Sequence, residues 1–233
     1  MDKINRKDLK HDKFAEEVIH SVDFIADHRK QAIRYGSIAL VVIVLGFGMF
    51  FYMRHQHTVR EELLRDAMLT FDANISPNAP EGMKAFPTQD EKDKAMKKAF
   101  SNLADNYSGS MEGEIGRYFL GVNAADKGKL DEAGKYFEKV ADSGQKDYGS
   151  LARLALAQIQ VGQGKNADAE KTLRYVADHP TTLVSKEQAQ IELAKVIAKR
   201  DPAEARKMLE PLRTDRTAIS QAAVQTLAQI SQK

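Results

Sequence analysis

The 233-residue sequence contains no cysteine and no tryptophan. The absence of cysteine excludes disulfides, thiolate metal ligands, a cysteine nucleophile and lipid attachment at an N-terminal cysteine. The formal net charge is only +2, so the composition does not indicate a nucleic-acid partner or a strongly acidic one. Aromatic residues make up 7% of the chain, whereas the helix formers alanine, leucine, lysine, glutamate and glutamine are plentiful. This composition favours an all-α protein.

Charged residues are missing from one long stretch, between Arg34 and Arg54. A helix over residues 35–53 would be about 28 Å long, close to the ~30 Å hydrocarbon core of a bilayer. Tyr35 and Tyr52 lie near its ends, where aromatic rings suit the membrane interface. The alternative is a buried core helix, but core helices of soluble proteins rarely lack charge over this length. We therefore expect residues 35–53 to be a transmembrane anchor.

The apolar stretch fits an uncleaved anchor better than a signal peptide, because a long polar segment precedes it and no small-x-small cleavage site follows. Basic residues flank both ends equally, so the orientation depends on the short basic tail, which should stay in the cytoplasm. The sequence thus predicts a cytoplasmic tail at 1–34, an anchor at 35–53 and a soluble domain at 54–233 on the opposite side.

The tail is predicted to contain an amphipathic juxtamembrane helix from Asp8 to Ala32. Phe14, Val18, Val22 and Ile25 recur at helical spacing, and charged residues lie largely outside this stripe. One interpretation is a docking helix for a cytoplasmic partner or the bilayer surface. The other, which we favour, is a helical extension of the anchor.

The region after residue 58 contains an internal repeat with an offset of 36 residues. Seven positions of one copy align with seven of the next: Leu120, Gly121, Gly128, Lys129, Ala133, Phe137 and Val140 with Leu156, Ala157, Gly164, Lys165, Ala169, Leu173 and Val176. In each copy a small residue, Gly121 or Ala157, allows two helices to approach closely, and a Gly-Lys turn ends the first helix. The later apolar positions pack the second helix against the first.

Degenerate units flank these two copies. A third copy contains Leu193, Ala194, Asp201, Pro202, Ala205 and Leu209. There Asp201 is expected to cap the next helix, with Pro202 at its first position and Glu204 completing a capping-box-like start. A first unit is expected to have helices at 59–71 and 90–106, separated by a loop at 74–88 that is rich in proline and glycine. A last helix at 217–232 would cap the array.

The spacing is typical of the tetratricopeptide repeat (TPR), a helix-turn-helix unit with small and aromatic signature positions. The tryptophan and one tyrosine of the signature are missing, because those positions hold Arg117, Ala124, Arg153 and Gln160. We predict an N-terminal transmembrane helix followed by a TPR-like α-solenoid of about three to four units with a capping helix.

An anchor followed by degenerate TPR units resembles the YfgM type of bacterial inner-membrane proteins, which are ancillary subunits of the SecYEG translocon. The similarity lies in residues 148–158, with a Tyr-Gly-Ser-Leu-Ala opening and later Leu-Ala pairs, and in the turn at Gly164 and Lys165. The N-terminal tail is longer than the family pattern. The resemblance implies a periplasmic domain near the translocon exit, with translocon subunits, emerging chains or periplasmic chaperones as partners.

In TPR arrays the first helix of each unit lines a concave surface that binds peptides. Applied to this sequence, the resemblance assigns to that surface Tyr118, Val122, Leu154, Gln158, Ile191 and Lys195. The lysine and asparagine set with which some TPR domains hold a C-terminal carboxylate is absent. The alternative is that several of these side chains pack between helices.

No catalytic motif, metal site or cofactor-binding motif is present. His55 and His57 would point about 200° apart on a helix, and no GxSxG, P-loop, HExxH or GxGxxG sequence occurs. Our leading hypothesis is a non-catalytic, membrane-anchored scaffold that recruits proteins during secretion or envelope folding. Two alternatives remain: a regulatory adaptor linking a cytoplasmic signalling partner to envelope state, and a subunit of a membrane enzyme without its own active site.

Overall fold

The computed structural model describes residues 29–77, 80, 82–213 and 218–231. The chain divides into two units, Met1–Thr58 and Val59–Lys233. Most of the predicted amphipathic helix, including Phe14, Val18, Val22 and Ile25, lies outside the described residues.

The first unit contains most of one long helix, α1 (Arg29–Phe71). Its apolar side chains are largely exposed, with Leu45 at 66% and Phe51 at 63%. Among the described residues, this is the one helix that is long and apolar enough to cross a membrane, over Ile33–Phe71. That range includes the predicted anchor at 35–53, whose own limits stay a prediction.

The second unit consists mainly of helical hairpins. The end of α1 is followed by α2 (Gln89–Asn106), α3 (Met111–Asp126), α4 (Leu130–Ala141), α5 (Lys146–Gly162), α6 (Asn166–Asp178), α7 (Lys186–Ile197), α8 (Pro202–Leu209), a 3-10 turn (Glu210–Arg213) and α9 (Ala218–Ser231). Helices α1/α2, α3/α4, α5/α6 and α7/α8 form four successive pairs, and α9 packs on α7 and α8. The prediction of an all-α repeat array with a capping helix is confirmed.

The connection between α1 and α2 differs from the loop predicted at 74–88. It contains a parallel pair of two-residue strands, β1 (Asn74–Ile75) and β2 (Ala85–Phe86). The N–H of Ser76 extends the pairing by donating to the carbonyl of Phe86 at 2.9 Å. The loop prediction is therefore wrong for these four residues, because such short strands leave no alternating pattern in the sequence.

The two Gly-Lys turns end α3 and α5 as predicted. Gly128 and Gly164 have φ values of +71° and +77°, in the left-handed region that glycine adopts without a steric penalty. After α3, the N–H of Lys129 donates to the carbonyl of Ala124, and the N–H of Gly128 donates to that of Ala125. The same two bonds recur 36 residues later, so both helices end in a Schellman motif.

At the start of α8 the predicted cap by the Asp201 side chain is confirmed, whereas the predicted return hydrogen bond to Glu204 is absent. The Asp201 carboxylate accepts the N–H groups of Ala203 and Glu204 at 3.0 and 2.9 Å, and Pro202 occupies the first helical position. A full capping box would also need the Glu204 carboxylate to accept the N–H of Asp201. That N–H instead donates to the carbonyl of Ile197 at 2.8 Å, while the Glu204 carboxylate faces two arginines.

Helices α3 and α4 approach closely at Gly121, as the repeat alignment predicts. A Cβ atom added at Gly121 would lie 2.7 Å from Cε1 of Phe137, whose ring is only 2% exposed. The equivalent pair in the next repeat is Ala157 and Leu173, which are 1% and 2% exposed. The α3/α4 repeat therefore combines a glycine with a large ring, and the α5/α6 repeat combines an alanine with a smaller side chain.

Candidate protein-interaction surface

The predicted surface residues all lie on the first helices of their repeats, α3, α5 and α7. They are Tyr118, Val122, Leu154, Gln158, Ile191 and Lys195. Gln158 and Lys195 are exposed. Leu154 and Ile191 are only 7% and 3% exposed and belong to the hydrophobic core. Their burial matches the alternative interpretation, in which some of these residues pack between helices.

Tyr118 and Val122 are half-buried between α3 and α5. The Tyr118 ring lies 5.5 Å from the Phe137 ring and 5.6 Å from the Tyr148 ring, measured between centroids. Burial raises the pKa of the Tyr118 phenol, and neighbouring Tyr148 raises this pKa further. Burial also raises the pKa of Tyr148. The two phenols stay neutral at physiological pH, so this part of the surface is aromatic and uncharged.

A cavity of about 220 Å³ lies between α5 and α7, and we call it the α5–α7 cavity. It brings together Leu154, Gln158 and Lys195, three of the six predicted surface residues. Buried Leu154 and Leu173 make its floor apolar, whereas exposed Gln158, Lys195 and Lys199 surround its mouth. The remaining predicted residues lie elsewhere: Tyr118 and Val122 on α3, and Ile191 in the core.

The alignment of the repeats shows that a smaller side chain lines this cavity than occupies the equivalent position of the preceding repeat. Leu173 occupies the position that Phe137 holds 36 residues earlier, where the phenyl ring covers Gly121. A leucine fills less space than a phenylalanine, and the methyl group of Ala157 would obstruct a ring placed as Phe137 is. The floor is therefore apolar but incompletely filled.

Two lysines give the mouth of the cavity its charge. Lys195 Nζ lies 2.7 Å from a carboxylate oxygen of Glu192, which also lines the cavity. Lys199 Nζ instead contacts the amide oxygen of Asn166 at 3.4 Å. Two lysines and one glutamate leave a net charge of +1 here (2 − 1). The site can therefore accept an apolar side chain accompanied by a negative group.

A second cavity, of about 240 Å³, lies between α7 and α9 and also includes Lys195 and Lys199. We call it the α7–α9 cavity. Ile230 and Thr226 of α9 contribute to its wall and are 7% and 3% exposed. This cavity was not predicted from the sequence. The available signal was the pair of lysines at the end of α7, Lys195 in its last turn and Lys199 in the turn that follows.

The first repeat contains a larger cavity of about 850 Å³, lined by α1, α2 and β2. Leu63 and Phe86 are among its apolar residues, and Lys84 pairs with Asp66 at 2.6 Å beside them. No site was predicted here from the sequence. The feature that could have indicated one is the length of the α1–α2 connection, which exceeds the short turns between the other helices.

The arginines that replace the TPR tryptophan have a repeated structural role. Arg117 donates to the carbonyl of Ala104 in the last turn of α2, at 2.9 Å. Arg153, 36 residues later, donates to the carbonyl of Ala141 at the end of α4 and lies over the Tyr175 ring, 4.8 Å from its centroid. Each arginine thus caps the second helix of the preceding repeat.

Comparison with family models matches residues 141–225 to the tetratricopeptide repeat-like domain. This part of the chain is TPR-like. The matched range includes α5 to α8 and the first part of α9, and therefore the whole α5–α7 cavity. Thr226, Gln229 and Ile230 of the α7–α9 cavity lie beyond it. Comparison with curated proteins found no match, and comparison with solved structures found none either. The TPR-like match supports protein partners in general and does not distinguish the YfgM type from other TPR-like proteins.

Proposed function

We propose that this chain is a non-catalytic, membrane-anchored TPR-like scaffold that recruits proteins at the envelope face of a bacterial inner membrane. The main support is the apolar cavity beside exposed Gln158 and Lys195, in the region that matches the TPR-like domain. TPR-like domains are typically protein-interaction modules. The long apolar part of α1 supports a single membrane anchor.

The proposed topology places residues 1–34 in the cytoplasm, 35–53 in the membrane and 54–233 in the periplasm. The basic tail supports this orientation, since short basic segments tend to remain cytoplasmic. The resemblance of residues 148–158 to the YfgM type supports translocon subunits, emerging chains or periplasmic chaperones as the partners. No cofactor takes part in the proposed function.

The proposed binding surface uses the six predicted residues in two ways. Gln158 and Lys195 contact the partner directly, and half-buried Tyr118 and Val122 add an apolar edge. Leu154 forms the floor of the α5–α7 cavity, and Ile191 supports the surface from the core.

The absence of cysteine makes the topology testable with single-cysteine variants. Ser21→Cys samples the tail, and Lys135→Cys samples an exposed position on α4. A membrane-impermeant maleimide applied to intact spheroplasts should label Lys135→Cys and leave Ser21→Cys unlabelled. Both sites should react after membrane permeabilisation. The opposite labelling pattern would invert the orientation and remove the argument for periplasmic partners.

In-cell photocrosslinking tests the scaffold itself. A photoreactive residue at Gln158 should crosslink to translocon subunits or periplasmic chaperones, identified by mass spectrometry after purification in mild detergent. The matched control carries the photoreactive residue at Lys135, which is exposed on a second helix. Crosslinks from Gln158 to cytosolic regulators, without an envelope protein, would favour the regulatory adaptor. Stoichiometric recovery of one catalytic chain would favour the enzyme subunit.

A further inference from the structure

Helix α7 separates two cavities that share the same two lysines. The α5–α7 cavity has a volume of about 220 Å³ and the α7–α9 cavity about 240 Å³. Lys195, in the last turn of α7, and Lys199, in the turn that follows α7, line both cavities and are four residues apart in the sequence. They therefore form a ridge between the cavities, which we call the lysine ridge.

Both cavities are suited to apolar side chains. Leu154 and Leu173 form the floor of the first, and Ile230 is buried in the wall of the second. Thr226 also lines the second, but its hydroxyl already donates to the carbonyl of Ala222 at 2.8 Å. It therefore does not require a polar partner from the ligand.

The lysine ridge itself is suited to a carboxylate. Glu192 neutralises Lys195, but Lys199 contacts only the neutral amide of Asn166 among its described partners. A carboxylate on a ligand can therefore bind Lys199 without displacing an existing ion pair. Gln158 and Gln229 are exposed beside the two cavities and can hydrogen-bond to the backbone of an extended chain.

The general geometry of helix packing gives an approximate spacing for two grooves on opposite sides of one helix, and this spacing constrains the conformation of the ligand. Grooves on the two sides of one packed helix are about 8–10 Å apart, the usual distance between helix axes. A polyproline II segment rises about 3.1 Å per residue with three residues per turn, so its residues i and i+3 point the same way about 9 Å apart. On an α-helix the same separation requires residues i and i+7, because i+4 is only about 6 Å away.

We propose that the two cavities and the lysine ridge bind an extended acidic segment of a partner protein. Apolar side chains at positions i and i+3 enter the two cavities, and a carboxylate at an intervening position pairs with Lys199. This proposal rests on the proposed scaffold function and specifies the chemistry of the segment that the scaffold binds.

Synthetic peptides test the motif on the purified full chain in mild detergent. The probe is a fluorescein-labelled peptide, Gly-Ala-Leu-Glu-Pro-Leu-Ala-amide, in which proline favours the extended conformation. One control replaces its glutamate with lysine, and another exchanges the proline and second leucine to shorten the apolar spacing. Fluorescence anisotropy should show each control binding at least about tenfold more weakly, and added salt should weaken the glutamate peptide most.

Two variants of the chain locate the binding. Leu173→Phe combined with Ala157→Gly should fill the α5–α7 cavity by recreating the packing of Phe137 on Gly121, and should weaken the probe about tenfold or more. Lys199→Gln should weaken the glutamate peptide but not a version carrying glutamine at that position. Lys207→Gln, at an exposed lysine of α8, is the matched control and should not affect binding.

Several outcomes would overturn the proposal. Equal binding of the three peptides, or full binding by the cavity-filled variant, would exclude the motif. Tighter binding of a helical peptide with leucines at i and i+7 would assign the cavities to a helix, and self-association that blocks the probe would assign them to a second copy. Photocrosslinking at Gln158 distinguishes these failures, because it can still capture an envelope protein when only the motif is wrong.

Discussion

Alanine at Gly121 should strain the contact between α3 and α4. The added Cβ would lie 2.7 Å from Cε1 of Phe137 and 3.0 Å from two further ring atoms. The ring is 2% exposed, so it cannot move aside into solvent. Overpacking of this kind costs about 1–3 kcal/mol, while the higher helix propensity of alanine contributes about 1 kcal/mol in the opposite direction.

Gly134→Ala is the matched control, because Gly134 is also helical and a Cβ there would meet no atom within 4 Å. It should stabilise the protein by up to about 1 kcal/mol through helix propensity alone. Gly121→Ala should therefore be about 1–3 kcal/mol less stable than Gly134→Ala. The free energies can be measured by urea unfolding of the full chain in mild detergent, followed by far-UV circular dichroism.

A compensating change makes this prediction stricter. Phe137→Leu combined with Gly121→Ala reproduces the Ala157 and Leu173 pair of the next repeat. The double variant should be more stable than the sum of the two single effects by about 1 kcal/mol or more. If Gly121→Ala matches Gly134→Ala, or if the two changes are simply additive, the close contact does not constrain Gly121 as we infer.

Two further predictions concern contacts between helices. Arg153→Met should cost about 1–2 kcal/mol in urea unfolding, because methionine preserves the apolar stem but cannot bind the Ala141 carbonyl. Its control is Arg213→Met, in an exposed ion pair, which should change stability by less than about 0.5 kcal/mol. The hydrogen bond from the Lys127 ammonium lowers the pKa of Asp93 in the folded state. The ionised carboxylate therefore stabilises the folded state above its unfolded pKa of about 4. This stabilisation disappears as the pH falls through the lowered folded pKa. The stability difference between the wild type and Asp93→Asn should therefore shrink between about pH 6 and about pH 3 in urea titrations.

Each of these results has a clear contrary outcome. Equal losses for Arg153→Met and Arg213→Met would show that the carbonyl cap contributes no more than an exposed ion pair. A stability difference between the wild type and Asp93→Asn that stays constant on acidification would show that the Lys127 contact does not control the titration of this carboxylate.

Local chemistry explains why the helices and their ends could be predicted. Gly128 and Gly164 end their helices in a backbone conformation that strongly favours glycine, so the residue type and its spacing suffice. Asp201 and Pro202 are equally informative at a helix start. The strands β1 and β2 could not be predicted, because their pairing depends on how the connection folds back on itself.

The binding surface was only partly predictable, because the repeat alignment identifies the helix but not the exposure of each side chain. Leu154 and Ile191 occupy equivalent positions and are both buried, yet only Leu154 lines the α5–α7 cavity. Leu173 beside the cavity is smaller than Phe137 at the equivalent position. This difference in size is visible in the sequence, but whether it leaves a cavity depends on the residue that faces each side chain.

The carbonyl caps made by Arg117 and Arg153 give the repeat array a direction. Each arginine lies on the first helix of one repeat and binds the end of the helix before it, so a repeat depends on its C-terminal neighbour for its cap. Loss of that neighbour leaves carbonyl groups without a donor, whereas loss of the N-terminal neighbour frees a guanidinium that water solvates readily. Fraying should therefore spread more easily towards the N-terminus than away from it, and a partner that holds α5 in place would also protect α4.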